Sequence, residues 1–375
     1  MTDEPEEDML SWDESVFRDE RVLEIDYVPE TFLHRESQMQ NLKYALKPAV
    51  RGSRPLNVMA QGPPGTGKTT AVNILFDELR ARTDITPIRV NCQVNSTRYA
   101  VFSQLFEGVF NYEPPSSGIS FKKLFSQVTD QLVEDDEVLV VALDDVNYLF
   151  YESEASDTLY SLLRAHEEQG GARIGVIVIS SDLDLDMMAE LDSRVQSVFR
   201  PEDIYFPPYD EPELAEILQE RADRGFHDGA VGTRVLDRVA ELTAEQGGDL
   251  RVGIDLLRRA GLTAEMRASR TVEVQDVEES YEKSKYVHLS RRLGELSDSE
   301  ADLLAVIAEH DGEQAGDIYE AFHDQTDLGY TRYSEIINKL DQLGVIDATY
   351  TDVDGRGRSR ELSLNYDAEA VLDRL

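Results

Sequence analysis

Gly62-Pro63-Pro64-Gly65-Thr66-Gly67-Lys68-Thr69, followed by Thr70, fits the phosphate-loop pattern at every position. Its glycines let the backbone curl so that successive N–H groups face phosphate oxygens, and a helix starting behind it adds the positive end of its dipole. In this pattern Lys68 reaches the β- and γ-phosphates and the Thr69 hydroxyl holds Mg²⁺. The context agrees. Leu56–Ala60 is a short apolar run suited to a strand, and Thr69–Arg82 carries Val72, Leu75, Phe76 and Leu79 at helical spacing. The ligand implied is ATP or ADP with Mg²⁺.

Outward from the loop, apolar runs alternate with amphipathic stretches. Ile88–Cys92, Val138–Leu143 and Ile174–Ile179 are further strand candidates, the last two continuous enough to be buried in a parallel sheet. Strands alternating with helices predict an α/β domain with both sheet faces covered. Asn111–Ser120, with its prolines and Gly118, reads as a loop between helices. A phosphate loop needs a second carboxylate to organise Mg²⁺. Val138–Leu143 ends in Asp144-Asp145, so Asp144 is the expected metal ligand and Asp145 the group that orients the attacking water. Ser181 follows the run Ile174–Ile179 and is placed near the γ-phosphate. Arg194 and Arg251 are candidate phosphate-sensing cations; each, taken alone, also reads as an ordinary surface ion pair.

After Pro207-Pro208 the strands stop. Glu211–Asp223, Val235–Glu245, Leu250–Ala268 and Asp276–Tyr286 predict a small helical domain. From about 288 a third pattern begins. Ser297-Asp298-Ser299-Glu300 is a capping box before Ala301–His310. Gln314–His323 and Thr331–Leu343 follow, and Val345–Thr351 and Ser359–Leu364 flank the hairpin signal Asp354-Gly355. Three helices and a terminal hairpin are the order of a winged helix. The division expected is an acidic tail over 1–20, an α/β domain over 21–206, a helical lid over 207–287 and a winged helix over 288–375.

The chain carries 75 acidic against 37 basic residues, a formal net charge of −38, and the bases are 29 Arg and 8 Lys. Such charge self-repels in ordinary cytoplasm. At 1 M salt the Debye length falls to about 3 Å and the repulsion is largely screened. A dense acidic surface poor in lysine resembles proteins of salt-in halophiles. The excess argues against nucleic-acid binding unless local basic islands exist. One does: Gly355 to Arg360 holds Arg356, Arg358 and Arg360 with no acid among them. On the preceding helix, Ile336, Ile337 and Leu340 form an apolar stripe that leaves Arg332, Asn338 and Lys339 on more exposed faces, suited to phosphate and base edges. A single cysteine, Cys92, excludes an intrachain disulfide and a multi-cysteine zinc site. No run is long and apolar enough to span a membrane, and a cytoplasmic, nucleoid-associated protein is expected.

With these segments in place, the chain resembles the archaeal initiator family, relatives of the origin recognition complex and its helicase-loading partner. Tyr27-Val28-Pro29 and His34-Arg35-Glu36 are similar to that family's adenine-side segment, Val90-Asn91-Cys92 and Thr97-Arg98-Tyr99 to the strand and helix after the loop, and Asp192-Ser193-Arg194-Val195 to its arginine-finger region. Gly248-Asp249-Leu250-Arg251 resembles its sensor-2 helix, and Gly355-Arg356-Gly357-Arg358-Ser359-Arg360 its DNA-binding wing. The resemblance implies an AAA+ ATPase with a helical lid and a winged helix. It further implies binding to origin duplex DNA, recruitment of the replicative helicase, and contact with other copies or paralogues of itself. It also implies an inserted helical element near Tyr99–Phe125, with Thr97, Arg98, Lys122 and Lys123 as polar candidates.

Two positions depart from the family's pattern. Its strand usually ends in Asp-Glu, here Asp144-Asp145, and its sensor-1 residue is usually Asn, here Ser181. Both side chains are shorter, and a placement error near 1 Å can cost about 10²-fold in rate. Slow hydrolysis used as a switch is therefore expected. The competing reading is a nucleotide-dependent DNA-binding regulator that loads no helicase.

Overall fold

The computed structural model describes residues 15–375 apart from 82–83, 116–118, 169–170, 184, 295, 327 and 354–356. The described chain divides into two compact bodies. One comprises Arg18–His227 with Leu236–Asp255; the other comprises 15–17, Asp228–Val235 and Leu256–Leu375.

The first body is a three-layer α/β unit. Its elements run α1 Glu36–Leu46, β1 Val58–Gln61, α2 Lys68–Arg80, β2 Ile85–Asn91, α3 Arg98–Phe110, α4 Phe121–Glu134, β3 Val138–Asp144, α5 Asn147–Tyr151, α6 Ala155–Glu168 and β4 Arg173–Ser180. Next come α7 Met187–Glu190, α8 Ser193–Gln196, β5 Glu202–Tyr205 and α9 Glu211–Gly225. The five strands form one sheet in the order β2-β3-β4-β1-β5, and every pairing is parallel. Each residue of β3 is buried, as its unbroken apolar run requires. Two apolar layers close on the sheet. Phe102, Phe106, Leu124 and Phe125 of α3 and α4 pack on one side, and Ala71, Val72, Phe76 and Leu42 of α2 and α1 on the other. The expected four strands are present, and β5 is a fifth that the apolar pattern did not announce. It is an edge strand with only Ile204 buried, so it carries almost no hydrophobic signal.

The helices expected after Pro208 are present but are divided between the two bodies. α9 stays with the first because the segment from Arg18 to Val22 is tied to it. Arg18 and Asp19 N–H donate to the Gly225 carbonyl at 2.8 and 3.1 Å, and the Arg221 guanidinium donates to Val22 O at 2.9 Å. α10 Thr233–Glu245 and α11 Leu250–Met266 each begin in one body and end in the other. The second body continues with α12 Val274–Leu293, α13 Asp298–Glu309, β6 Glu313–Gln314, α14 Ala315–Thr326, α15 Tyr330–Gln342, β7 Ile346–Val353, β8 Gly357–Leu364 and α16 Ala368–Leu372. β6, β8 and β7 form an antiparallel sheet. With α13, α14 and α15 they enclose a core of Leu303, Ile307, Phe322, Tyr333, Ile336, Ile337, Leu340 and Leu362, which is a winged helix.

Two features bear on the expected boundaries. Within the stretch expected as a tail, Val16 and Phe17 are buried, and the Ser15 hydroxyl and Val16 N–H donate to the Glu265 carboxylate at 2.6 and 2.9 Å. The expected break at 287–288 falls inside the continuous helix α12.

Candidate active site and nucleic-acid interface

β1 ends at Gln61 and the chain curls into α2. Gly65 and Gly67 lie in the left-handed region, at φ 69° and 89°. A Cβ on Gly65 would overlap the Asp249 carboxylate, and one on Gly67 would stand 2.8 Å from the Phe32 ring. Glycine is therefore required twice, for the turn and for the close approach of neighbouring chains. The loop's carbonyls are held from several directions. Lys68 Nζ donates to Gly62 O and Pro63 O at 2.6 and 2.7 Å, and the Thr66 hydroxyl donates to Pro63 O at 2.9 Å. Behind the loop, Arg35 Nε donates to Thr66 O at 3.0 Å while its Nη2 donates to Pro207 O at 2.7 Å. Its guanidinium lies 3.6 Å from the centre of the Tyr209 ring.

The loop opens onto a cleft of about 440 Å³, a size that suits a small-molecule ligand. Lys68, Thr69, Asp144, Asp145, Ser181 and Arg251 all line it. Lys68 is buried, and its pKa is drawn down to about 8, first by burial and then by the Arg251 charge. The Thr69 hydroxyl sits 3.1 Å from both oxygens of Asp144. A hydroxyl and a buried carboxylate converging in this way are the hard oxygen donors Mg²⁺ prefers, so these residues fit the metal. Asp144 also accepts from Arg89 Nη1 at 2.9 Å. Asp145 adopts φ 53°, and burial, followed by the Asp144 charge, raises its pKa. Arg251 is braced by Asp249, which accepts from its Nε at 3.0 Å and its Nη2 at 2.8 Å; these hydrogen bonds raise its pKa further.

The same cleft is lined by Ile25, Tyr27, Val28, Pro29, Phe32, Ile217 and Ile254, a set suited to a planar base. Arg221, on α9, holds Tyr27 in place. Its guanidinium lies 4.5 Å from the ring centre and it is nearly fully buried. Cys92 is also buried, beside the end of β3. Its N–H donates to Asp144 O at 2.8 Å, and burial pushes its thiol far up from the ordinary range.

In the second body α15 presents a different electrostatic picture. Lys339 Nζ pairs with Glu300 Oε2 at 2.7 Å, and Arg332 Nη2 lies 3.6 Å from Glu300 Oε1. Glu300 is buried on α13 and also accepts the Ser297 N–H at 2.9 Å. Burial pushes its carboxyl up, but Lys339 and the Ser297 hydrogen bonds outweigh burial and leave it below its usual value. Arg332 makes a further ion pair with Glu335 at 3.1 Å. Arg360, at the root of the wing, donates to Asn338 Oδ1 at 2.7 Å. Arg358 is placed by its backbone, opposite Asp352 in the hairpin, and Arg356 lies outside the described residues.

The model of the AAA ATPase domain matches residues 31–179, and that of the Cdc6 AAA+ ATPase-type lid domain matches residues 215–282. Over all 375 residues the chain is 77% identical to ORC1-type DNA replication protein 3 of Haloarcula marismortui, with 100% of both chains covered. The chain belongs to the ORC1-type DNA replication proteins. It is also 66% identical, again over 100% of both chains, to ORC1-type DNA replication protein 6 of Halobacterium salinarum. Among solved structures it is similar to the Aeropyrum pernix ORC1 protein in complex with DNA, at 30% identity, 96% of each chain and a TM-score of 0.71. The Aeropyrum pernix ORC2 protein shares the fold at 23% identity, with 96% and 97% of the two chains covered and a TM-score of 0.75. This ORC1-type chain is accordingly a nucleotide-binding AAA+ ATPase of replication initiation. Its acidic surface accords with its haloarchaeal relatives.

Within this ORC1-type fold, the cleft brings together Tyr27, Val28, Pro29, Gly65 to Thr70, Asp144, Asp145, Ser181 and Arg251. Gly62, Pro63, Pro64 and Arg35 do not line it. The first three shape the loop, and Arg35 is buried behind it, spending its donors on backbone carbonyls. Arg194 is also outside the cleft lining. It is exposed, bound to Asp192 at 2.6 Å and 3.7 Å from Asp157. Thr97 caps α3, accepting the Ala100 N–H at 3.2 Å, and Arg98 lies over the Phe121 ring at 4.2 Å. Sequence reasoning did not single out Phe32, Asn73, Arg89, Tyr209, Ile217, Arg221 or Ile254, which also line the cleft. Arg89 had a readable signal, as a lone cation inside an apolar strand.

Proposed function

We propose that this chain binds ATP and ADP with Mg²⁺ in the cleft, binds origin duplex DNA through the winged helix, and helps recruit the replicative helicase. Slow hydrolysis serves as the switch. The observation that carries the reading is the meeting of the phosphate loop with the start of α11, where Asp249 touches Gly65 and braces Arg251 in the cleft. A phosphate that draws on Arg251 acts at the end of one continuous helix that runs on to Met266.

The chemistry proposed is transfer of the γ-phosphoryl group to water. Backbone N–H groups of Gly65 to Thr69 and the Lys68 ammonium bind the phosphates, with Nζ exchanging the Gly62 and Pro63 carbonyls for phosphate oxygens. Asp145 orients the attacking water and takes its proton. Arg251 and Ser181 contact the γ-phosphate. Mg²⁺, held by Thr69 and Asp144, would neutralise charge building on the phosphate oxygens. Tyr27, Val28 and Pro29 bind the base side. Arg194, standing outside its own cleft, is assigned to the nucleotide of a neighbouring copy or paralogue. For DNA, Arg332, Asn338 and Lys339 on α15 and Arg356, Arg358 and Arg360 on the wing supply phosphate and base-edge contacts. The short Asp145 favours a second reading, in which nucleotide-controlled DNA binding is the whole function and no helicase is loaded.

The test is fluorescence anisotropy in molar KCl with the AT-rich duplex beside this protein's own gene and a scrambled duplex, each with ATP and with ADP. Selective binding that differs between ATP and ADP is the expected result. Equal binding to both duplexes, or none while ATP still binds, overturns origin recognition by this chain alone.

A further inference from the structure

Arg89 stands out because it occupies the carboxylate that the metal site needs. It is the one exposed residue of β2, whose other positions are buried or half-buried. An exposed cation on an edge strand ordinarily keeps other strands away. Arg89 instead lines the cleft and places Nη1 2.9 Å from Asp144 Oδ2. Asp144 is buried, with its side chain 7% exposed, whereas that of Arg89 is 37% exposed. Register explains the reach. Asn91 pairs with Asp144 across the β2–β3 ladder, and Arg89, two residues earlier, points to the same face. The Thr69 hydroxyl contacts both Asp144 oxygens at 3.1 Å, so Arg89 and any cation held by Thr69 and Asp144 draw on the same carboxylate. A charge-assisted bond to a buried carboxylate is worth more than an exposed ion pair.

We propose that Arg89 is a built-in counter-cation of Asp144, a positioning residue that neutralises this carboxylate when no divalent ion does and that competes with Mg²⁺ for it. The inference rests on the nucleotide reading of the cleft. Two consequences follow. Metal-free nucleotide binds better than a bare Asp144-Asp145 pair would permit, because Arg89 offsets one of the two negative charges facing the phosphates. Metal-loaded nucleotide binds less tightly than it otherwise would, because the divalent ion must share Asp144. Arg89 thus narrows the gap between the two forms.

The experiment is the affinity of fluorescent mant-ADP for the full-length protein, once with saturating Mg²⁺ and once with EDTA. Arg89→Gln is expected to widen the ratio of the two dissociation constants about tenfold, weakening the metal-free complex and tightening the Mg²⁺ complex. Mn²⁺ bound to the protein–ADP complex, read by electron paramagnetic resonance, is expected to tighten in step. The effect should vanish in an Asp144→Asn background, where no charge remains to neutralise. Arg89→Met, which keeps the packing stem, serves with the same expectation if the glutamine variant does not fold. An unchanged ratio, or the same widening with and without Asp144, overturns the proposal. Wild-type protein that binds mant-ADP in neither condition overturns the nucleotide reading instead.

Discussion

The cleft and α15, the helix proposed to read DNA, use the same residue types in opposite ways. In the cleft, burial first and then the Arg251 charge draw Lys68 toward neutrality. These cations are concentrated ahead of a ligand that will separate them by charge. On α15, Arg332 and Lys339 converge on one buried carboxylate, Glu300. There the cations are already paired with acids, and the DNA proposed to bind here must compete for them. The difference teaches that a chain of net charge −38 can protect a concave anion site by burial. Exposed cations such as Arg332 and Lys339 are instead open to capture by the chain's own acids.

The largest expected effect comes from filling the loop. Gly65→Ala should weaken ATP and ADP by at least ~100-fold, since its Cβ meets Asp249 and its φ is left-handed. DNA affinity without nucleotide should stay as in wild type; a parallel loss in both would break the separation of the two regions. Next comes Asp145. Asp and Asn tolerate the left-handed region better than Glu, which rationalises Asp at φ 53°. Asp145→Glu should speed hydrolysis, by up to ~10²-fold if reach is the deficit, and lower the melting temperature through backbone strain. Asp145→Asn should abolish turnover and raise the melting temperature, because burial disfavours the charge it removes.

A pH series sharpens the contrast. Lys68 loses its proton near pH 8 rather than near its ordinary 10.5. ADP affinity should therefore start to fall as pH rises through 8, approaching about tenfold per unit. The sign for folding is opposite. Between 8 and 10.5 the unfolded chain binds the extra proton, so this group adds stability as pH rises. In Lys68→Met both trends should flatten. The smallest effect belongs to the helix. Glu300→Gln should raise duplex affinity by roughly threefold to tenfold and steepen the salt slope by about one, while lowering the melting temperature through loss of the Lys339 and Arg332 ion pairs. A fall in affinity would mean that Glu300 aims these cations rather than restraining them.

How much was legible follows from burial. The runs Val138–Leu143 and Ile174–Ile179 carry no polar side chain and were readable as strands. So was the stripe Ile336, Ile337 and Leu340, each at most 2% exposed. β5 was not, because one buried residue in four leaves no period. In the cleft, the residues that one contiguous motif supplies were readable, and so was Arg251, by its resemblance. Arg221 was not, since a cation on an acidic helix reads as solvated until Val22 and Tyr27 fold against it. Arg35 belongs to the motif expected on the adenine side, and the structure sets it outside the cleft lining. A pattern shows that an arginine sits beside the loop, yet only three dimensions show it facing the loop's back.

Cys92 has a practical consequence. It is the chain's single cysteine, fully buried, with a thiol held in its protonated, unreactive form. The wild-type protein is thus a silent background for thiol chemistry. A cysteine placed at exposed Tyr330, at the start of α15, would accept a fluorophore alone. Conversely, any condition that lets a thiol reagent reach Cys92 reports that the strand behind Asp144 has opened.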